Sequence, residues 1–287
     1  MMRGPFFPKK IYQFFRRHAG ILLYILSGRK PWSIGYGEYK RREIARLCSD
    51  GGLLSAFSQN RPLPENYGRR LDERIVEYPW ILSRLNSKHN GMLLDAGSTL
   101  NFDFILSHPV LINRTIYIYT LAPETVISRS NVSYIYGDLR STAFKDGLFD
   151  DIVCVSTLEH VGMDNTFLYS DDQGFKESAG RDFLKAIDEF KRILKPGGRL
   201  FITVPFGEYE NMGWFQQFNG NMVNSVVENF KGRESKVAYY QYLASGWRSS
   251  TADQCAHCRY FDIHKTWKFD PDCAAASRAV ACIELIK

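Results

Sequence analysis

Between Gly91 and Phe206 five short apolar runs alternate with polar or helix-patterned stretches: "GMLLDAGS", "RTIYIYTL", "NVSYIYGD", "FDDIVCVST" and "RLFITVPF". Runs of this length, rich in β-branched and aromatic residues and bounded by turn formers, read as strands. Before the fifth stands "RDFLKAIDEFKRILKPGG", with Phe183, Ile187, Phe190 and Leu194 on one stripe, acids early, bases late and a Pro-Gly-Gly stop; this is an amphipathic helix with its terminator. "RAVACIELIK" supplies a closing strand. Strands recurring with helical segments between them imply an α/β fold, a doubly wound parallel sheet covered on both faces. Ligands of such sheets lie beyond the carboxyl ends of the strands. The runs place Asp95, Thr120, Asp138 and the pair Ser156 and Thr157 at those ends.

Charge separates the N-terminus from this body. Eleven Lys or Arg against two acids precede residue 47, more than the whole chain's excess of +6, so the remainder is net acidic. A basic leader on an acidic body points to an anionic surface met by residues 1–46, and not to nucleic acid gripped by the whole domain. Residues 9–26 set Ile11, Phe15, Leu22 and Leu26 at helical spacing near Lys10, Arg16 and Arg17. Such a helix suits either a membrane interface or the protein's own body. The apolar run Ala19–Leu26 is too short to span a bilayer, and Arg16, Arg17 and His18 upstream do not make a secretory leader. Six cysteines in 287 residues form no disulfide framework. The expectation is a reduced, cytoplasmic protein, peripheral on the inner face of a membrane.

The stretch "GMLLDAGSTLNF" has the outline of a nucleotide-cradling turn, yet Ser98, Thr99 and Asn101 stand where permissive glycines are usual. Its backbone is therefore expected to avoid positive φ, or to accept it at Asn101. The pattern from "LLDAGS" through "IYIYTLAPE" and "YIYGDLRSTAFKDGLFDDIVCVSTLEHVG" to "LKPGGRLFITVPF" resembles the class I S-adenosylmethionine-dependent methyltransferases, specifically the type 11-like enzymes. The resemblance runs from about Met92 to Phe206. It implies a Rossmann-like seven-stranded sheet with an antiparallel last strand, here with an N-terminal helical extension and inserted lid segments. Residues 47–287 would be the methyltransferase domain, with lids at about 161–180, 206–232 and 244–272.

Carried over by the resemblance, Asp95, Gly97 and Ser98 would line the methionine part of S-adenosylmethionine. Asp138 and Leu139 would hold the adenine, and Ser156 and Thr157 would floor the sulfonium. The family's acid for the ribose hydroxyls falls at Thr120, with Leu121 beside it; Glu124, expected in the first turn of a following helix, could reach back as substitute. Read from the residues alone, Asp95 and Asp138 are also ordinary turn-capping aspartates.

Methyl transfer to a hydroxyl needs alignment and a base. "LEHVGMDN" offers His160, Asp164 and Glu159 as candidate catalytic groups, with His160 and Asp164 on one face if the segment is helical. The lids would roof the pocket with Tyr209, Trp214, Phe215, Trp247 and Arg248, and Gln216 and Gln217 would suit a sugar. The single Cys-x-x-Cys, Cys255 and Cys258 with His264 and Cys273 downstream, lacks a second pair and does not specify a metal site. Cys154, inside a strand, reads as core. The resemblance implies O-methylation of a sugar or lipid-linked glycan in surface polysaccharide biosynthesis. A lipid or quinone-type acceptor and a catalytically silent cofactor-binding scaffold are the alternatives.

Overall fold

The structure, a computed structural model, describes residues 9–85, 90–166, 168–169, 173–262, 265 and 268–287, with only the backbone given for 9–17. Helices α1 (Lys9–Leu26), α2 (Tyr36–Cys48), α3 (Gly51–Ser58) and α4 (Arg74–Leu82) precede the first strand. The sheet region then runs β1 (Met92–Ala96), α5 (Asp103–Leu106), β2 (Thr115–Thr120), β3 (Val132–Tyr136), β4 (Phe149–Val155), α6 (Phe183–Ile193) and β5 (Leu194–Pro205). It finishes with β6 (Glu210–Asn211), β7 (Gln216–Gln217), α7 (Gly220–Phe230), β8 (Glu234–Leu243), β9 (Gly246–Ser250), α8 (Ala252–Cys255) and β10 (Ala279–Ile286).

One sheet has the order β3-β2-β1-β4-β5-β10-β8-β9. The first five strands are parallel, and β10 lies antiparallel between β5 and β8. The order reverses between β1 and β4, which is where a doubly wound sheet opens a crevice. The expected architecture is therefore present, with eight strands in place of seven. The additional strand is β9, paired antiparallel with β8 across a two-residue turn. It occupies residues expected in the lid at 244–272. Gly246 permits this because its φ is +107° and a side chain there would strike the Tyr67 carbonyl. The indole of Trp247 is buried and donates to the Leu71 carbonyl at 2.9 Å. Residues 244–250 are thus sheet edge, held down by a core tryptophan, and Trp247 is not part of any roof.

Two apolar layers cover the faces. On one, α2, α3 and α4 pack Phe57, Trp80 and Ile81 against Ile118, Val153 and Phe201. On the other, α6 and α7 pack Phe183, Phe190, Val226 and Phe230 against Leu94, Ile152 and Ile202. Helix α2 runs through the expected boundary at residue 46. Helix α4 continues through Pro79 to Leu82. Proline has no N–H to give, so the carbonyl of Ile75 one turn earlier loses its helical partner. The Tyr67 hydroxyl donates to that carbonyl at 2.5 Å, which is why the helix survives buried. Residues 121–130 contain no helix, so the helix expected to carry Glu124 is absent.

Candidate active site

The loop after β1 is organised by Asp95. This carboxylate is fully buried and accepts from the Thr99 N–H and hydroxyl, both at 3.1 Å, and from the Leu100 N–H at 2.8 Å. Burial pushes it up to about 7, against the pull of those hydrogen bonds. Asp95 therefore shapes the loop from behind and does not line the cavity, a correction to its expected place at the ligand. Gly97 has φ +117°, and a Cβ there would lie 2.0 Å from the Thr157 hydroxyl. Here glycine is required by both backbone and space.

Positive φ extends to Ser98, at 60°, and not to Asn101. Asn101 serves through its side chain. Its amide donates to Ser98 Oγ at 3.2 Å and to the Thr125 carbonyl at 2.8 Å, while its oxygen accepts from Tyr134 at 2.8 Å. These bonds hold Ser98 in a conformation that costs about 1–2 kcal/mol for a residue with a Cβ. Ser98 itself is absent from the cavity wall.

The cavity beyond β1 to β4 measures about 320 Å³. Its wall includes the expected Gly97, Thr120, Leu121, Asp138, Leu139, Ser156, Thr157 and His160. Thr120 donates to Glu124 Oε1 at 3.0 Å and stands 3.3 Å from the Tyr169 hydroxyl. An acid thus stands beside Thr120 after all, delivered by a loop.

Asp138 is held by Arg140, the feature sequence reading missed most completely. One guanidinium reaches Asp138 at 2.6 Å, Glu177 at 2.6 Å and Asp182 at 2.8 Å. It ties the end of β3 to the inserted segment and to the start of α6. Burial works to raise the Asp138 carboxyl, but the hydrogen bonds from Arg140 outweigh it and hold the group below its ordinary value. The "GDLR" in the sequence shows the Asp138–Arg140 spacing; nothing in it announces Glu177.

Beneath the floor lies a second network. Glu77 of α4 is fully buried and accepts from Ser156 at 2.6 Å, Thr203 at 2.7 Å and Arg74 at 2.5 Å. Arg74 lines the cavity. The helix preceding the sheet is thereby bolted to the ends of β4 and β5.

The three candidate catalytic groups separate. His160 lies in the wall, its Nδ1 2.9 Å from the Trp214 carbonyl. A carbonyl only accepts, so Nδ1 carries the proton and Nε2 is the free acceptor. Burial lowers His160 to about 4, with the Trp214 carbonyl opposing and Arg74 adding to the shift. Glu159 is buried away from the cavity, with one carboxylate oxygen unpartnered and its pKa raised by burial. Asp164 caps its own turn through the Thr166 N–H and hydroxyl. A single 3-10 turn at Leu158–His160 replaces the helix that would have put His160 and Asp164 together.

The expected roof is also redistributed. The segment 161–180 does line the cavity, through Val161, Asn165, Leu168, Tyr169, Phe175 and Glu177. Phe215 is buried against His160 and Tyr260. Gln216 and Gln217 are buried and donate to the carbonyls of Gly180, Glu208 and Cys258, so they tie loops together. Tyr209 faces a separate hollow beside Arg181, and Arg248 is exposed against Gln241. His264 lies outside the described residues, and among those described no group of three or more His, Cys, Asp or Glu could hold a metal.

Residues 115–202 match the family model described as a methyltransferase domain. The match begins at β2 and ends in β5, so it contains Thr120, Asp138, Ser156, Thr157 and His160, while β1 and its loop precede it. No curated protein matches the chain. Among solved structures, an S-adenosylmethionine-dependent methyltransferase of Thermotoga maritima is similar at 14% identity, covering 86% of this chain and 99% of that one, with a TM-score of 0.46. The Burkholderia thailandensis 1,6-didemethyltoxoflavin-N1-methyltransferase, solved with its substrate and S-adenosylhomocysteine, is similar at 11% identity over 100% and 93% of the two chains, TM-score 0.41. A Haemonchus contortus phosphoethanolamine N-methyltransferase is similar at 13% identity over 86% and 60%, TM-score 0.47.

Proposed function

We propose that this chain is an S-adenosylmethionine-dependent methyltransferase that methylates a hydroxyl of a sugar or lipid-linked glycan at an anionic membrane surface. The observation that carries the reading is the cavity at the sheet's switch point, walled by Gly97, Thr120, Asp138 and Thr157 from four successive strand ends, three of them inside the methyltransferase match. The residues suit the cofactor. Asp138 offers a carboxylate at the adenine position, Thr120 with Glu124 offers oxygen acceptors to the ribose, and the absent Cβ at Gly97 leaves the loop backbone close to Thr157. When bound, S-adenosylmethionine supplies an electrophilic methyl group on a sulfonium.

Within that reading, His160 takes the acceptor's proton on Nε2, and Tyr169 and Phe175, rings 5.6 Å apart in the cavity wall, present aromatic faces to the acceptor. His160→Ala is expected to lower turnover by at least about tenfold while leaving cofactor affinity unchanged, in keeping with the loss of a general base. A smaller loss in steady-state rate would remove His160 from the chemistry. Because burial holds it near 4, His160 is already neutral above about pH 5. The rate should therefore show no histidine step near pH 6.5. The same shift makes stability rise with pH from about 4 to 6.5, since the unfolded imidazole binds the proton that the folded one refuses.

Membrane association rests on α1 and the turn after it. Ile21 and Tyr24 are buried against the body, with Tyr24 packed on Tyr36 and Tyr39. Leu22, Leu23, Leu26 and Ile34 remain exposed, Leu26 at 73% and Ile34 at 76%, beside Arg29 and Lys30. One helix thus divides its apolar residues between the protein and the outside. No described helix is long and apolar enough to cross a membrane. Removing the first 35 residues would delete Tyr24 and uncover Tyr36 and Tyr39, on which it packs, so substitution is the cleaner test. Changing Leu22, Leu23, Leu26 and Ile34 to glutamine should abolish sedimentation with anionic vesicles at low salt. Failure of the unaltered protein to bind such vesicles would end the membrane proposal.

A further inference from the structure

Cys255 and Cys258 lie on the loop between β9 and β10, apart from the cavity. Cys255 closes α8 and is fully buried, whereas Cys258 is partly exposed. The Cys258 N–H donates to the Cys255 carbonyl at 2.9 Å, closing a turn that sets the two side chains together. The Gln241 amide approaches the Cys258 sulfur at 3.6 Å. The backbone is pinned as well, because the Cys258 carbonyl accepts from the Glu208 N–H at 2.9 Å and from Gln217 at 2.8 Å. Gly207 leaves the room for this, since a Cβ there would lie 2.0 Å from that carbonyl.

We propose that Cys255 and Cys258 form a reversible dithiol–disulfide site that reacts with low-molecular-weight disulfides. The inference does not depend on the methyltransferase reading. Cys258 is the attacking group, because it is partly exposed where Cys255 is buried, and the Gln241 amide N–H is aimed at its sulfur. The neighbouring Cys255 thiol and the Gln241 amide lower the Cys258 pKa against burial, while the neighbouring Cys258 and then burial raise that of Cys255. In the first step the Cys258 thiolate attacks one sulfur of the small disulfide, forming a mixed disulfide and expelling a thiolate that takes up a proton. In the second, Cys255 loses its proton and attacks the Cys258 sulfur. The intramolecular disulfide forms, and the second small thiol leaves with that proton. Two protein thiols are oxidised and one small disulfide is reduced to two thiols. The site reaches toward the cavity through Tyr260, whose ring lies 4.8 Å from that of Phe215, itself 5.8 Å from His160.

Four other cysteines provide internal standards. Cys48, Cys154 and Cys282 are buried with thiol pKa values raised by burial, and Cys273 is half-buried. The test uses the full chain, exposed to oxidised glutathione, quenched in acid, alkylated and mapped by mass spectrometry. The expected result is a disulfide joining Cys255 to Cys258 and free thiols at the other four positions. Cys255→Ser should instead accumulate glutathione on Cys258. On the reduced, unaltered protein, iodoacetamide at neutral pH should label Cys258 at least about tenfold faster than Cys273, as expected for a thiol with greater thiolate character. Equal labelling of Cys258 and Cys273, or a mixed disulfide on Cys258 that persists in the unaltered protein, would overturn the proposal.

Discussion

Replacing Arg140 with alanine is expected to weaken binding of S-adenosylhomocysteine by about 10–100-fold, equivalent to roughly 1.4–2.8 kcal/mol. The guanidinium is mostly buried and holds three carboxylates, those of Asp138, Glu177 and Asp182. Without it, the carboxylates of Asp138 and Glu177 face one another with their shared cation gone, and Asp182 keeps only Lys185 at 2.9 Å. Asp138 would keep the residue-140 N–H but lose the guanidinium that holds its carboxyl below the ordinary value, and the inserted segment carrying Tyr169, Phe175 and Glu177 would lose its tie to the end of β3. Arg140→Lys should recover only part of the affinity, because an ammonium is a point charge without the planar fork that grips two carboxylates at once. Calorimetric titration of the three proteins measures the effect, with thermal melting to establish that each is folded. Unchanged affinity in Arg140→Ala would show that the carboxylates are positioned by the backbone alone.

Glu77→Ala should produce the largest loss of stability. Glu77 is fully buried and serves Arg74, Ser156 and Thr203 at once. Removing one partner of a buried pair leaves an uncompensated charge and typically costs about 3–5 kcal/mol. The two hydroxyls also lose their shared acceptor. Glu77→Gln keeps the shape and one acceptor oxygen, so its cost should be clearly smaller. Urea denaturation of both variants would decide the matter. A loss below about 1 kcal/mol in Glu77→Ala would mean that water replaces the carboxylate and that the network is not a structural bolt.

How far the sequence could be read follows from the range of the interactions involved. Strands β1 to β5 and helix α6 announce themselves because their periodicity and terminators are local, and the residues at the strand ends follow from topology. Topology thus brings Thr120, Asp138, Ser156 and Thr157 to one cavity, whereas Gly97 was implied by the family resemblance and Asp95, also placed at a strand end, turns away behind the loop. Arg140 and Glu177 are 37 residues apart, and Glu77 and Thr203 are 126 apart. No periodicity encodes such pairs. Strand β9 was hidden for another reason: "GWRSS" has neither length nor alternation, and it is a strand because Trp247 finds the Leu71 carbonyl and Gly246 clears Tyr67. In the loop after β1, the missing glycines suggested that the backbone would avoid the left-handed conformation or accept it at Asn101. Ser98 takes it, because the Asn101 side chain is employed in bracing the turn. Gln216, Gln217 and Phe215 looked like recognition groups by type, but long loops also need interiors, and these residues fill one.

The cavity beyond β1 to β4 is the place proposed for S-adenosylmethionine. Calorimetric titration of the full chain with S-adenosylmethionine and S-adenosylhomocysteine, beside an Asp138→Ala variant, tests it most directly. Micromolar binding by the unaltered protein and its loss in the variant are expected. Absence of binding by a protein shown to be folded, or equal binding by the variant, would contradict it.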